Sequence, residues 1–424
     1  MAKSSILLDF SLLKNNASFR AIFFARMLSV FALGMLTVGV PIQIQAMTGS
    51  TLQVGVAVTL DGIGMFAGLI LGGVLADRYD RRRLILFSRA ICGLGFVALS
   101  INAFLSAPSL LALYVLAFWD GFFGALGMTA LMAVIPLLVG RENLPAAGAL
   151  SMLTVRLGAI LSPALGGIII ATSSVGWNFA IAAVGTLATL IPLTRLPAMK
   201  PEQGEPEHPL RSLAGGIAFV CSHRVVGAVV LIGLLVSMIG AMRVLFPALA
   251  ENTWHAGPSA VGLMFAAVPL GAMLGAFTSG WVAGVTRPGL LMLGCACAAF
   301  WAVASLGMYT HIVPALVALV CYGYLNAMVS LLQFTLIQSY TPDRLLGRVN
   351  SFGTAQDVTG DSFGALGLGM MARLMTPAMS ILTFGAVAAL LVMLMACMGR
   401  SLRQCRFGTP EAESVPDESP ARSS

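Results

Sequence analysis

The chain has 424 residues, of which 58% are hydrophobic and only 10% charged, and its formal net charge is +7. Soluble globular domains carry about 25% charged residues, so this composition excludes that class and points to a chain that lives in a lipid bilayer. The positive charge does not signal nucleic acid, because the basic residues fall in short clusters between apolar runs and form no continuous basic face. Cys92, Cys295, Cys297, Cys321 and Cys397 lie inside apolar runs without Cys-x-x-Cys spacing. They read as packing residues, and no metal site and no cofactor is expected.

A membrane-spanning helix needs about 20 mostly apolar residues. Met1 to Arg20 is amphipathic, with Lys3 and Lys14 and no small-residue cleavage site, which predicts an uncleaved first span. Spans are expected near 20–45, 52–76, 84–105, 109–138, 146–171 and 177–195. A polar, proline-bearing stretch follows through Lys200, Glu202, Glu205, Glu207 and Pro209, and a second set is expected near 225–249, 259–283, 289–309, 314–338, 348–373 and 378–398. The expected fold class is therefore an all-α integral membrane protein of about twelve transmembrane helices. Its parts would be a six-helix half over 1–195, a linker over 196–222, a second half over 223–398 and a disordered tail over 399–424. The tail is rich in Ser, Pro and Glu, which bury too little apolar surface to fold.

Charge placement predicts the orientation. Arg78, Arg81, Arg82, Arg83, Arg141, Lys200, Arg211, Arg287, Arg344, Arg348, Arg400 and Arg403 fall on one side of that helix count. The opposite connections, around Thr48, Pro108, Ser174, Asn252 and Thr376, are almost free of Lys and Arg, with Arg373 the exception. Lys and Arg favour the cytoplasmic side, so both termini and the linker are expected there.

The halves also echo one another. Val54-Gly55, Gly64, Gly68 and Gly73 recur at Val261-Gly262, Gly271, Gly275 and Gly280 with one constant spacing. Leu144 and Ala164-Leu165-Gly166 recur at Leu345 and Ala365-Leu366-Gly367 with a second, slightly shorter one. In these registers Asp61 pairs with Val268, Asp77 with Gly284 and Arg156 with Asp357. A charge at a helix centre costs about 2.5–3.5 kcal/mol on insertion scales, so each must face protein or water. Arg26, Asp120, Arg243 and Asp361 join these half-specific charges as candidates, with the polar Gln43, Gln45, Asn326, Gln333 and Gln338.

Each has a plainer reading beside the functional one. Arg26 reaches the cytoplasmic interface by snorkelling. Asp357 and Asp361 are one helical turn apart and form either a proton site or two cavity-wetted carboxylates. His223, His255 and His311 sit near span ends and read as interfacial. No Gly-Lys pair, no His-Glu-x-x-His and no Gly-x-Ser-x-Gly occurs, so neither an ATP site nor a hydrolase motif is present and no enzyme is expected.

The turn Gly72-Gly73-Val74-Leu75-Ala76-Asp77-Arg78-Tyr79-Asp80-Arg81-Arg82-Arg83 resembles the signature loop between the second and third helices of the major facilitator superfamily, except that Asp80 replaces a glycine. Parallel six-helix repeats about a central cavity are that superfamily's architecture. The resemblance implies a gate at Gly73, Asp77, Arg78, Arg81, Arg82 and Arg348, with Asp77 capping the start of the eleventh helix. Gly158, Pro163, Gly166 and Gly167, with Ala149 and Ser162 in place of two glycines, follow the packing pattern of the superfamily's exporters.

Further stretches narrow the likeness. Val40-Pro41-Ile42-Gln43-Ile44-Gln45, Trp119-Asp120-Gly121-Phe122-Phe123, Thr154-Val155-Arg156-Leu157-Gly158, Ser330-Leu331-Leu332-Gln333 and Val358-Thr359-Gly360-Asp361 resemble the catecholate-siderophore exporters of that superfamily. The resemblance implies secondary active, proton-coupled export of an enterobactin-like siderophore from cytoplasm to periplasm across the inner membrane. It implies functional links to siderophore synthesis enzymes and an outer-membrane efflux channel. Asp120, Asp361, Asp357 and Asp61 are the proton candidates, because only carboxylates shifted toward neutral pH load and release protons usefully. Arg156, Arg243, Gln43, Gln45 and Gln333 are the substrate candidates, since guanidinium groups stack on rings and donate paired hydrogen bonds. A broad-specificity drug exporter and a non-transport membrane sensor remain the rival readings.

Overall fold

A computed structural model describes residues 13, 14, 16–197, 199 and 209–405, so the start of the chain, most of the polar stretch and the tail from 406 lie outside the described residues. Apolar sequence becomes helix wherever the backbone must satisfy its own hydrogen bonds in lipid. α1 (Ala17–Thr48) is capped by Asn16, whose side chain accepts from the Phe19 amide. Asn16 Nδ2 also donates to Leu138 O at 2.9 Å, tying the start of α1 to the end of the fourth span. Gly49 ends α1 in the left-handed region at φ 62°, with its amide bonded to Gln45 O. A side chain there would be strained, and glycine permits the two-residue reversal into α2 (Thr51–Arg78).

After α3 (Arg81–Phe104), helical backbone runs unbroken over α4 (Leu110–Thr172), where the sequence predicts two separate spans. Length and apolarity still mark two spans, Leu110–Leu131 and Ala147–Thr172. Gly64 and Gly68 face Phe118 and Phe122, whereas Gly158 and Gly166 face Val30 and Met35. The first span of α4 therefore packs on α2 and the second on α1. α5 (Val175–Ala188) and the short α6 (Leu190–Leu193) complete the first half.

Part of the expected linker is a helix, α7 (Pro209–Ser222). It docks on the eleventh span, where a Cβ at Gly216 would lie 2.6 Å from Arg348 O. α8 (Arg224–Gly240) passes through a 3-10 segment, Ala241–Leu245, into α9 (Phe246–Asn252). The chain continues through α10 (Pro258–Thr278), α11 (Pro288–Ser305), α12 (Ile312–Tyr340), α13 (Asp343–Leu374), α14 (Pro377–Met398) and the short α15 (Arg400–Gln404). Among the described residues, 11 helices are long and apolar enough to cross a membrane. α13 has the length, 32 residues, but is too polar to be counted with them. Leu111, Val184, Phe277 and Leu374 are exposed on the outer surface, as lipid-facing residues are.

The repeated glycines make repeated contacts. A Cβ at Gly64 would meet Phe118 O and one at Gly271 would meet Val320 O; Gly68 meets Phe122 O and Gly275 meets Tyr324 O. Between the halves, Gly55 meets Ala365 O and Gly262 meets Pro163 O. Both interfacial contacts sit at the end of the bundle whose connections lack Lys and Arg. Thr59 Oγ1 donates to Ser362 O at 3.2 Å across the same seam. At the basic end, a Cβ at Gly73, Gly280 or Gly284 would meet nothing within 4 Å, and Asp77 is exposed. The contacts between the halves given by these glycines and by Thr59 thus lie at the end whose connections lack Lys and Arg.

Candidate functional site

A cavity of about 450 Å³ lies among α1, α2, α3 and α4 of the first half, walled largely by apolar residues such as Leu33, Val58, Met65 and Met128. Set into that wall are five charges: Arg26 on α1, Asp61 on α2, Arg89 on α3, Asp120 on α4 and Arg243. Arg243 is the one lining residue from the second half among those described.

Close helix crossing brings the two acids together. A Cβ at Gly121 would lie 2.0 Å from Asp61 O and 2.9 Å from its Oδ1, so only glycine lets α2 and α4 touch at this level. Asp120 then lies within electrostatic reach of Asp61 and Arg89. Its Oδ1 is buried and accepts no hydrogen bond among the described residues.

On the other side, the 3-10 segment carries Arg243 toward α13. Its Nη1 donates to Asp361 Oδ1 at 2.7 Å and its Nη2 to Asp361 Oδ2 at 2.5 Å. This paired geometry holds a guanidinium firmly. Asp61 is also within electrostatic reach of Arg243 and Asp361, so the charges of the two halves form one connected set. Ser237 Oγ donates to Asp357 Oδ1 at 2.9 Å. Asp357 and Asp361, adjacent on one helix face, are therefore engaged by different partners on α8 and its 3-10 extension.

The description "Major Facilitator Superfamily" matches residues 22–367. The chain belongs to the major facilitator superfamily. Named relatives are similar along their whole length: "Enterobactin exporter EntS" of Citrobacter koseri is 49% identical over 420 residues, 99% of this chain and 100% of that protein. The protein of the same name from Escherichia coli O1:K1 / APEC is 49% identical over 97% of this chain and 99% of its own. Among solved structures, the nucleoside transporter NupG superposes with a TM-score of 0.75 at 10% identity, covering 89% of this chain and 99% of that one. A POT family transporter in complex with 5-aminolevulinic acid gives 0.72 at 12% identity, covering 91% and 97%. These two show the fold. The chain is a multi-pass membrane transporter protein, not an enzyme.

The basic loop of this major facilitator protein is tied to the stretch after the sixth span. Asp80 caps α3 by accepting from the Arg82 amide at 3.0 Å, and the same Oδ1 accepts from the Met199 amide at 3.1 Å. Its carboxylate thus does work that a glycine there could not. Arg81 donates to Ala76 O and Arg82 to Thr194 O. Asp77 and Arg78 are exposed, and Asp77 makes no hydrogen bond or ion pair with a described residue. Among the described residues, Asp77 is joined neither to Arg348 nor to the start of α13.

Of the exporter-pattern residues, Gly158 faces Val30, Pro163 and Gly167 face Gly262, and Gly166 faces Met35. The second span of α4 therefore packs on α1 and, at the closed end, on α10. Arg156 is half-buried, does not line the cavity and makes no ion pair with a described residue. Gln43 and Gln45 are buried near the closed end of α1, away from the cavity lining, each with an unpartnered Oε1. Gln333 approaches Gly233 together with Gln356. Gln356 is 5% exposed and both its amide atoms lack a partner among the described residues.

Sequence reasoning missed Arg89, Ser237 and Gln356. Arg89 follows the Arg81–Arg83 cluster by two helical turns, and its position inside an apolar span was the available signal. Arg26 points into the cavity rather than to an interface.

Proposed function

We propose that this chain is a secondary active exporter carrying an enterobactin-like catecholate siderophore from cytoplasm to periplasm across a bacterial inner membrane, with protons as the coupling ion. The observation that carries the reading is the 49% identity sustained over 99% of the chain and all of a protein named as an enterobactin exporter. The cavity suits such a cargo, since aromatic rings need apolar walls and their hydroxyls need a few oriented polar groups.

The basic end is the cytoplasmic one on this reading, with both termini beside it. The cavity then loads cargo from the cytoplasmic side. Asp120 and Asp61 are the proposed proton carriers, because they face the cavity while Asp361 holds Arg243 and Asp357 takes the Ser237 hydroxyl. Protons and cargo then alternate on the same few charges. Synthesis enzymes would supply the cargo and an outer-membrane efflux channel would complete its exit.

Deletion of the gene in iron-starved cells is expected to raise intracellular siderophore and lower it in the medium. Inverted vesicles bearing the purified protein should accumulate the siderophore when an inward-acid gradient is imposed, and Asp120→Asn should abolish that response. Normal secretion by the deletion strain, with no second exporter present, would refute the siderophore reading. Equal transport of structurally unrelated drugs would replace it with broad-specificity export.

A further inference from the structure

Two cavity arginines have no role in the reading so far. Arg26 on α1 and Arg89 on α3 line one cavity and lie within electrostatic reach of each other. Neither makes an ion pair or hydrogen bond with a described residue. None of their nitrogens is among the buried atoms left unpartnered, so their donors face open cavity. The groups facing them are few. Asp120 and the Cys92 thiol face Arg89, Asp61 and Arg243 line the same space, and Asp361 engages both outer nitrogens of Arg243. Two guanidinium groups thus share one neighbouring acid. Like charges held close repel, and an anion placed between them relieves the repulsion.

We propose that Arg26 and Arg89 together hold one ring of a catechol cargo as its catecholate anion. The inference rests on the reading that the cavity carries such a cargo, and it adds the charge state and the docking point. On binding, the O–H bond of one ring hydroxyl breaks, the electron pair stays on the oxygen between the guanidinium groups, and the proton passes to water. The two adjacent ring oxygens match the forked donors of arginine, which stay charged throughout. Arg243 does not compete for this oxygen while Asp361 occupies it. The cargo therefore docks first against the wall of the first half.

The test uses purified full-length protein in lipid nanodiscs with iron-free siderophore, at a mildly acidic pH where the free catechol is protonated. Ultraviolet difference spectra report the red-shifted absorption of catecholate. Wild type is expected to bind with appearance of that band. Arg26→Gln with Arg89→Gln should lose the band and weaken binding about tenfold or more. Arg26→Lys with Arg89→Lys retains the charge and should keep the band. If the double glutamine variant does not fold, Arg89→Gln alone and the lysine pair decide. Binding by wild type without the band overturns the anion docking and leaves the exporter reading intact. A band that persists in the double glutamine variant also overturns it. Absence of any binding by wild type removes both.

Discussion

Gly262→Ala tests whether the two halves are held shut by backbone contact at the closed end. A Cβ there would lie 2.6 Å from Pro163 O and 2.9 Å from Gly167 Cα, across the seam between α10 and α4. Ordinary contact begins at 3.4 Å, and the opposing atoms are backbone, so no side-chain rotation relieves the clash. Overpacking of this kind costs about 1–3 kcal/mol. Alanine also favours helix over glycine by about 1 kcal/mol, but that gain is the same in both conformations and cancels. The penalty falls on the closed seam alone, so the ratio of the two conformations should shift by roughly fivefold to somewhat over a hundredfold.

Double electron–electron resonance between spin labels at Thr172 and Asn252, both exposed at the closed end, reads the shift directly. The long-distance population should rise in Gly262→Ala and stay at the wild-type level in Gly294→Ala, where a Cβ meets nothing within 4 Å. Indistinguishable distance distributions in wild type and Gly262→Ala would show that the seam yields, and the account of closure by glycine contact would fail.

Asp80→Ala removes the cap of α3 and the bond to the Met199 amide; it should cost about 1 kcal/mol and speed hydrogen exchange at the start of α3. Asp361→Asn leaves Arg243 without its anion; the loss of thermal stability should fall below the 3–5 kcal/mol of a fully buried pair, since the side chains are 33% and 23% exposed, and adding Arg243→Gln should recover part of it. Gln356→Met, close in shape and free of the unpartnered amide, should raise stability by about 1 kcal/mol, and a lowered melting temperature would mean the amide is satisfied. Reporters active only in the periplasm, fused after Gly204 and after Arg406, should stay silent; activity at either point would reverse the orientation.

The helices and their pairing were legible because lipid forces apolar runs into helices and glycine spacing marks where helices touch. Gly64, Gly68, Gly271 and Gly275 sit at matched crossings in the two halves. Position within the apolar spans nominated Asp61, Asp120 and Arg243, all of which line the cavity. Rotation about the helix axis was not legible. Arg156, Gln43 and Gln45 lie within spans but are not among the residues lining the cavity. Arg89 was passed over beside a basic loop that accounted for positive charge without it. The 3-10 segment at Ala241–Leu245 decides where Arg243 points, and its sequence differs little from the helix before it.

What the halves share and what they do not divide the labour of the molecule. Gly55 against Ala365 and Gly262 against Pro163 are near-equivalent contacts, offset by one residue, so the seam is built about an approximate symmetry. A moving interface gains from that, because matched contacts on both sides are made and broken together. The charges obey no such symmetry: Asp61 has Val268 as its counterpart, and the cavity lining takes Arg243 as its one described residue from the second half. Asymmetry is what a binding site requires, since a cargo presents different groups to its two walls. Asp61, in the first half, lies within electrostatic reach of the Arg243–Asp361 pair of the second. Changing the charge of either acid would alter the field acting on the Arg243–Asp361 pair.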